Sequence, residues 1–220
     1  YWSGYNQIMA SNLMDSGLSP DEIINYLIEN DVNNNPTIRQ YGIVDIYQGG
    51  RSAAYTGENC MDYKNHILGT NYAIQGNILL NEQILINIEN NFNNTIGTLS
   101  DKLMAALQGA NIPGADSRCL NNDTSSLSAF IRVAEPFDET DNFLLDLNIN
   151  NTSNSQEPID LLQDLYNEWL NEQDPIGDIS GDGILNISDL IIIIDFILEE
   201  IYDENGDMNF DEGLNIQDII

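Results

Sequence analysis

Cations are scarce in this chain: six Lys and Arg stand against 36 Asp and Glu in 220 residues, for a formal charge of −30. They are Arg39, Arg51, Lys64, Lys102, Arg118 and Arg132, too few to follow a phosphate backbone, so nucleic-acid binding is disfavoured. The field of the remaining acids repels anionic membrane surfaces and attracts metal cations. Histidine occurs once, at His66. With no Ser-His-Asp pattern around it, the expected role is a structural hydrogen bond rather than general base. Long apolar runs are missing too. The longest, 190–198, is broken by Asp195 and falls far short of the roughly twenty residues that cross a bilayer, so no membrane insertion is expected. No secretory leader opens the chain, which starts at Tyr1 and is read as a mature or partial chain with both ends cut.

Cysteine is nearly absent as well. Cys60 and Cys119 have no second Cys or His at metal-ligand spacing, which leaves a disulfide or two separate buried thiols. In an oxidising compartment a bridge would stabilise the fold by roughly 4 kcal/mol in the chain-entropy model, and pairing is the expectation. Sequons at Asn93-Asn94-Thr95, Asn122-Asp123-Thr124, Asn150-Asn151-Thr152 and Asn151-Thr152-Ser153 permit glycosylation in a secreted protein.

What the chain does have is two twelve-residue acidic loops, 178–189 and 207–218. Oxygen side chains occupy positions one, three, five, nine and twelve of each: Asp178, Ser180, Asp182, Asn186 and Asp189, then Asp207, Asn209, Asp211, Asn215 and Asp218. Calcium takes six to eight oxygens at about 2.3–2.6 Å, and such loops add the carbonyl of position seven, here Ile184 and Gly213. Two calcium ions are therefore expected. Gly183 at position six of the first loop suits a left-handed turn around the ion. The second loop has Glu212 there and Gly213 one place later, so its turn is expected to shift. Merely solvated acidic loops are the alternative, opposed by repetition at one register, each copy running into an apolar segment.

Each loop ends in Asp rather than Glu and flows straight into helix, as Asp189-Leu190-Ile191-Ile192-Ile193-Ile194 shows. Residues 177–220 thereby resemble a dockerin, the calcium-folded module with which secreted bacterial proteins dock onto cohesins. The resemblance implies a small all-α EF-hand-like module, an extracellular setting and a cohesin-like partner. Positions ten and eleven, Ile187-Ser188 and Ile216-Gln217, depart from the paired hydroxyls that commonly read the partner. The module also stops at Ile220, before its second helix.

Residues 1–172 are expected to form one compact domain, joined to the module by a linker at 173–176. A helix through 3–15 ends at Gly17. Ser19-Pro20-Asp21-Glu22 is a capping box with proline at the first helical position, and Ile23, Ile24, Leu27 and Ile28 mark the buried face of the helix it opens. Strands at 40–47 and 51–56 flank a Gln48-Gly49-Gly50 turn. A further strand is expected at 72–78, helices at 81–92 and 99–109, strands at 127–134 and 143–149, and a helix at 158–171. Paired blocks of helices and strands suit a layered α+β sandwich with antiparallel strands.

Several stretches carry a second resemblance: Ile38-Arg39-Gln40-Tyr41-Gly42-Ile43-Val44-Asp45, Gly57-Glu58-Asn59-Cys60, Tyr72-Ala73-Ile74-Gln75-Gly76-Asn77-Ile78-Leu79 and Gly114-Ala115-Asp116-Ser117-Arg118-Cys119. They resemble domain of unknown function 1028, a family similar to the N-terminal-nucleophile hydrolases with their αββα sandwich. In those enzymes the first residue of a processed chain is the nucleophile and its free amine the base. This chain starts in what looks like the family's first helix, so the leading strands and nucleophile are expected to be missing and no catalytic residue is assigned. The function expected is a secreted calcium-binding protein of attachment or assembly, docking on a cohesin-like partner or on itself, with a head-to-tail filament as one outcome. The alternative is an amide-bond hydrolase recruited to a complex through its dockerin.

Overall fold

The computed structural model describes residues 3–136, 143–153, 156–172, 176–181, 184–211 and 213–219. Contacts divide the chain into two compact units, Tyr1–Leu165 and Tyr166–Ile220. The division falls inside a helix rather than in the stretch 173–176 that reads as a linker, most of which lies outside the described residues.

The first unit opens with α1 (Gly4–Asp15), capped by the Ser3 hydroxyl, and α2 (Pro20–Glu29). The capping box forms as the sequence requires: Glu22 N–H donates to Ser19 Oγ at 3.4 Å, and the Glu22 carboxylate accepts from Ser19 N–H at 2.8 Å. Gly17, at φ +86° between the helices, supplies the left-handed residue that ends α1. Of the four apolar residues expected on the buried face of α2, Ile23, Ile24 and Leu27 are buried, and they pack on Ile43 and Ala53 of the first hairpin with Ile28 partly buried beside them.

That hairpin pairs β1 (Gln40–Asp45) with β2 (Arg51–Thr56), in register from Gln40 opposite Thr56 to Asp45 opposite Arg51. A second hairpin pairs β3 (Asn65–Leu68) with β4 (Ala73–Gly76). The sequence marks β4 but not β3, whose four residues show no alternation of their own. The hairpins lie against each other: Gln40 Nε2 of β1 donates to the carbonyls of Asn65 and Gly76 at 3.1 and 3.0 Å, and the Ser52 hydroxyl of β2 donates to the Gly69 carbonyl. A Cβ at Gly42 would overlap the Gln75 side chain, so β1 and β4 meet this closely only because position 42 is glycine.

Next come α3 (Gln83–Asn94) and α4 (Leu99–Gly109), the latter opened by a Thr98/Asp101 capping box. The Tyr72 hydroxyl at the start of β4 donates to Glu89 of α3 at 2.8 Å and the Tyr72 ring meets Phe92 edge-on, fixing α3 on the second hairpin. Strands β5 (Ala129–Val133) and β6 (Leu145–Ile149) form a third antiparallel hairpin. Ala129, Ile131 and Val133 are buried while Phe130 and Arg132 are exposed, the alternation of a strand with one buried face. Helix α5 (Pro158–Glu172) starts beside this hairpin's preceding loop, where Glu157 accepts from Ser125 N–H at 2.6 Å. It buries Ile159 and Leu162 in the first unit. The fold is thus mixed α+β, built of small antiparallel sheets and helices.

The expected disulfide is not there. Cys60 and Cys119 are separate thiols, because each is committed to different surroundings. Cys60 donates its S–H to the Arg39 carbonyl at 3.3 Å. Cys119 is buried in a 3-10 turn over Ser117–Asn122, where burial foremost, and then the nearby Asp116 carboxylate, raises its pKa.

Candidate metal centre

The second unit holds both acidic loops and α6 (Ile187–Glu199), capped at its start by Asn186. In the first loop the Asp189 carboxylate accepts from Ser180 N–H at 3.1 Å and from Asn186 N–H at 2.7 Å. Asp178 accepts from the Ser180 hydroxyl at 3.0 Å, and Asn186 Nδ2 donates to the Ile184 carbonyl at 2.7 Å. Hydrogen bonds therefore link Asp178, Ser180, Ile184, Asn186 and Asp189 into one network. Asp182, expected at position five, lies outside the described residues, as does Gly183.

The second loop repeats the pattern position for position. Asp218 accepts from Asn209 N–H at 3.3 Å and from Asn215 N–H at 2.8 Å, while Asn215 Nδ2 donates to the Gly213 carbonyl at 3.0 Å. Asp211 N–H donates to Asp207 Oδ1 at 3.2 Å and to Asn209 Oδ1 at 2.9 Å. Position four is left-handed in both loops, Gly181 at φ +69° and Phe210 at φ +59°. Gly213 does not take up that conformation; Gly183 and Glu212, at position six of the two loops, lie outside the described residues.

The loops are also joined to each other. Gly177 N–H donates to the Asn205 carbonyl at 2.7 Å. A Cβ at Gly177 would come within 2.8 Å of Met208 Sδ, and one at Gly206 within 3.2 Å of Ile179 Cδ1. The residue before each loop thus rests on position two of the other.

Asp178, Asp189, Asp207 and Asp218 are 2%, 1%, 3% and 6% exposed. Every basic residue of the chain lies at or before Arg132, so the second unit has no cationic side chain of its own to set against them. Hydrogen bonds hold the anionic form: Asn186 N–H, followed by the Ser180 donors, brings the Asp189 pKa down to about 2. Buried anions of this kind call for hydrogen-bond donors or a cation. The donor set is oxygen throughout, which fits a hard cation. Among the described residues no three acidic, His or Cys side chains gather tightly enough to hold an ion by themselves; carboxylates at positions one and twelve of the first loop are linked instead through Ser180, whose hydroxyl donates to Asp178 and whose N–H donates to Asp189. His66 is remote from these loops in sequence, and its Nδ1 lies 2.9 Å from Thr56 Oγ1.

The helices and small antiparallel sheets of the first unit place the chain in the α+β class. Residues 4–162 match the family of unknown function DUF1028, and the chain belongs to that family. A solved relative is the crystal structure of a DUF1028 protein from Silicibacter pomeroyi. It is similar with a TM-score of 0.56 and 22% identity, over 76% of this chain and 67% of that one. No protein of curated function matches the chain.

Proposed function

We propose that the chain is a secreted calcium-binding protein of attachment or assembly, in which a dockerin-like second unit binds two calcium ions. The observation that carries this reading is the repeated network: the position-twelve carboxylate ties positions three and nine in both loops, around oxygen-only donors. Asp178, Ser180, Asp182, Asn186, Asp189 and the Ile184 carbonyl would hold one ion. Asp207, Asn209, Asp211, Asn215, Asp218 and the Gly213 carbonyl would hold the other. Each ion supplies the positive charge that the unit's own sequence lacks.

Docking is supported by α6, whose Ile187, Ile191, Ile194 and Leu198 recur at helical spacing and are all exposed. A cohesin-like protein, or another copy of the chain, would cover that stripe. In the first unit, α1 and α2 beside the first hairpin, with α3 on the second and α4 on the third, support an αββα sandwich of the N-terminal-nucleophile hydrolase kind, used here as a scaffold. Titrating the metal-stripped full chain with calcium while following its unfolding tests the reading. Calcium should raise the unfolding temperature of the second unit, with a stabilisation of about 2.7 kcal/mol per site at a hundredfold excess over Kd that keeps growing with the logarithm of its concentration. No shift at millimolar calcium would contradict it.

A further inference from the structure

Asn205 is followed by Gly206, and no other asparagine of this chain precedes a glycine. The pair is chemically labile, because a residue without Cβ leaves its backbone nitrogen free to approach the asparagine side chain. The Gly206 nitrogen adds to Asn205 Cγ, the Cγ–Nδ2 bond breaks, and Nδ2 leaves as ammonia with the proton that Gly206 N–H gives up. A solvent water then opens the five-membered imide. Opening at the side-chain carbonyl yields an aspartate; opening at the backbone carbonyl yields an isoaspartate, whose main chain is longer by a methylene.

The fold sets this peptide where the two acidic loops meet. Asn205 is exposed and Gly206 buried, within a 3-10 turn over Glu204–Gly206. Asn205 N–H donates to Asp203 Oδ1 at 2.9 Å, Gly206 N–H donates to the Asp203 carbonyl at 3.2 Å, and the Asn205 carbonyl accepts from Gly177 N–H at 2.7 Å. The last two bonds belong to one rigid peptide plane, that between Asn205 and Gly206. Bringing the face of the Gly206 nitrogen onto Cγ means rotating that plane, which takes the Asn205 carbonyl off Gly177 and the Gly206 N–H off Asp203 together. The closed turn therefore opposes the reaction. Nor is there room for a longer main chain afterwards: a Cβ at Gly206 would come within 2.8 Å of Leu214 Cδ1 and 3.2 Å of Ile179 Cδ1.

We propose that Asn205-Gly206 is a deamidation site which the closed second unit guards, and whose conversion parts the two loops irreversibly. Each opening of the unit exposes the pair to attack, and the isoaspartate product cannot close again on Gly177 and Ile179. The guard rests on the turn alone; its dependence on calcium rests on the function proposed above. If the reaction runs only through an opened unit that binds no ion, its rate falls by the factor with which calcium favours the closed one, at least about a hundredfold at a hundredfold excess over Kd.

The full chain is incubated in mildly alkaline buffer with calcium, with chelator, and with urea plus chelator. Conversion at residue 205 is followed by peptide mass spectrometry, with chromatography separating isoaspartate from aspartate. Conversion should be fast in urea and slower by at least about a hundredfold in calcium. The converted chain should have lost the thermal transition of its second unit, while an Asn205→Gln chain aged alongside keeps it. No conversion in urea, equal rates in urea and in calcium, or an unchanged transition in the isoaspartate form would overturn the proposal. Should calorimetry find no calcium bound, the function proposed above fails and the guard is read from the folded chain against urea: slower conversion in the folded chain upholds it, and equal rates overturn it.

Discussion

Asp31 and Arg39 form a buried ion pair, Nε to Oδ2 at 2.7 Å, with both side chains at most 3% exposed. Asp31 also accepts from Asn6 Nδ2 at 2.8 Å and from the N–H groups of Asn33 and Asn35 at 3.0 Å, so its charge is fully solvated by protein. Arg39→Met should cost about 3–5 kcal/mol, because it strands a buried carboxylate. Urea denaturation checks this, and an unchanged midpoint would contradict it. The Arg39 guanidinium is the main reason the Asp31 pKa lies far below the ordinary carboxylate value. A depressed folded pKa means that the pair's contribution is present above the unfolded pKa of about 3.9 and fades as pH falls below it. Wild-type stability should accordingly drop below about pH 4 more steeply than that of Arg39→Met. At the same scale, the separate environments of Cys60 and Cys119 predict two free thiols in denatured, unreduced protein. A mass two hydrogens lighter would contradict that.

At the scale of elements, local chemistry writes its own signals. Ser19 caps α2 as the sequence anticipates, Thr98 caps α4, and replacing either by Ala should cost about 1 kcal/mol. Thermal unfolding of the two variants measures this; two neutral substitutions would show that the boxes are ornamental. Helix spans and the β1–β2 hairpin were legible for the same reason: capping, periodicity and turn glycines act within a few residues. Strand β3 was not, since Asn65–Leu68 is a strand only through its register with β4. Nor was the distance between the cysteines, which depends on packing across the whole unit. In the candidate metal centre, the recurrence of oxygen side chains at the same positions of both loops was legible residue by residue. That Phe210 takes φ +59° was not, because loop closure sets it rather than any preference of its own.

Across the whole molecule the decisive feature is the uneven placement of charge. All basic residues precede residue 133, and the later part, including both loops, is exclusively acidic among its ionisable carboxyl and amine side chains. Close approach of copies is opposed by that charge until cations reduce it and salt shortens its reach to about 8 Å. If assembly uses the second unit, light scattering should report larger particles in calcium that revert in chelator. A particle size indifferent to both would argue against calcium-dependent self-association and leave a cohesin-like partner as the docking route. The central claim, that the two loops are calcium sites, is tested most directly by isothermal titration calorimetry of the metal-stripped full chain. Two ions should bind per chain, with one site lost in Asp189→Ala and the other in Asp218→Ala; absence of binding heat at millimolar calcium, together with unchanged stability, would contradict the assignment.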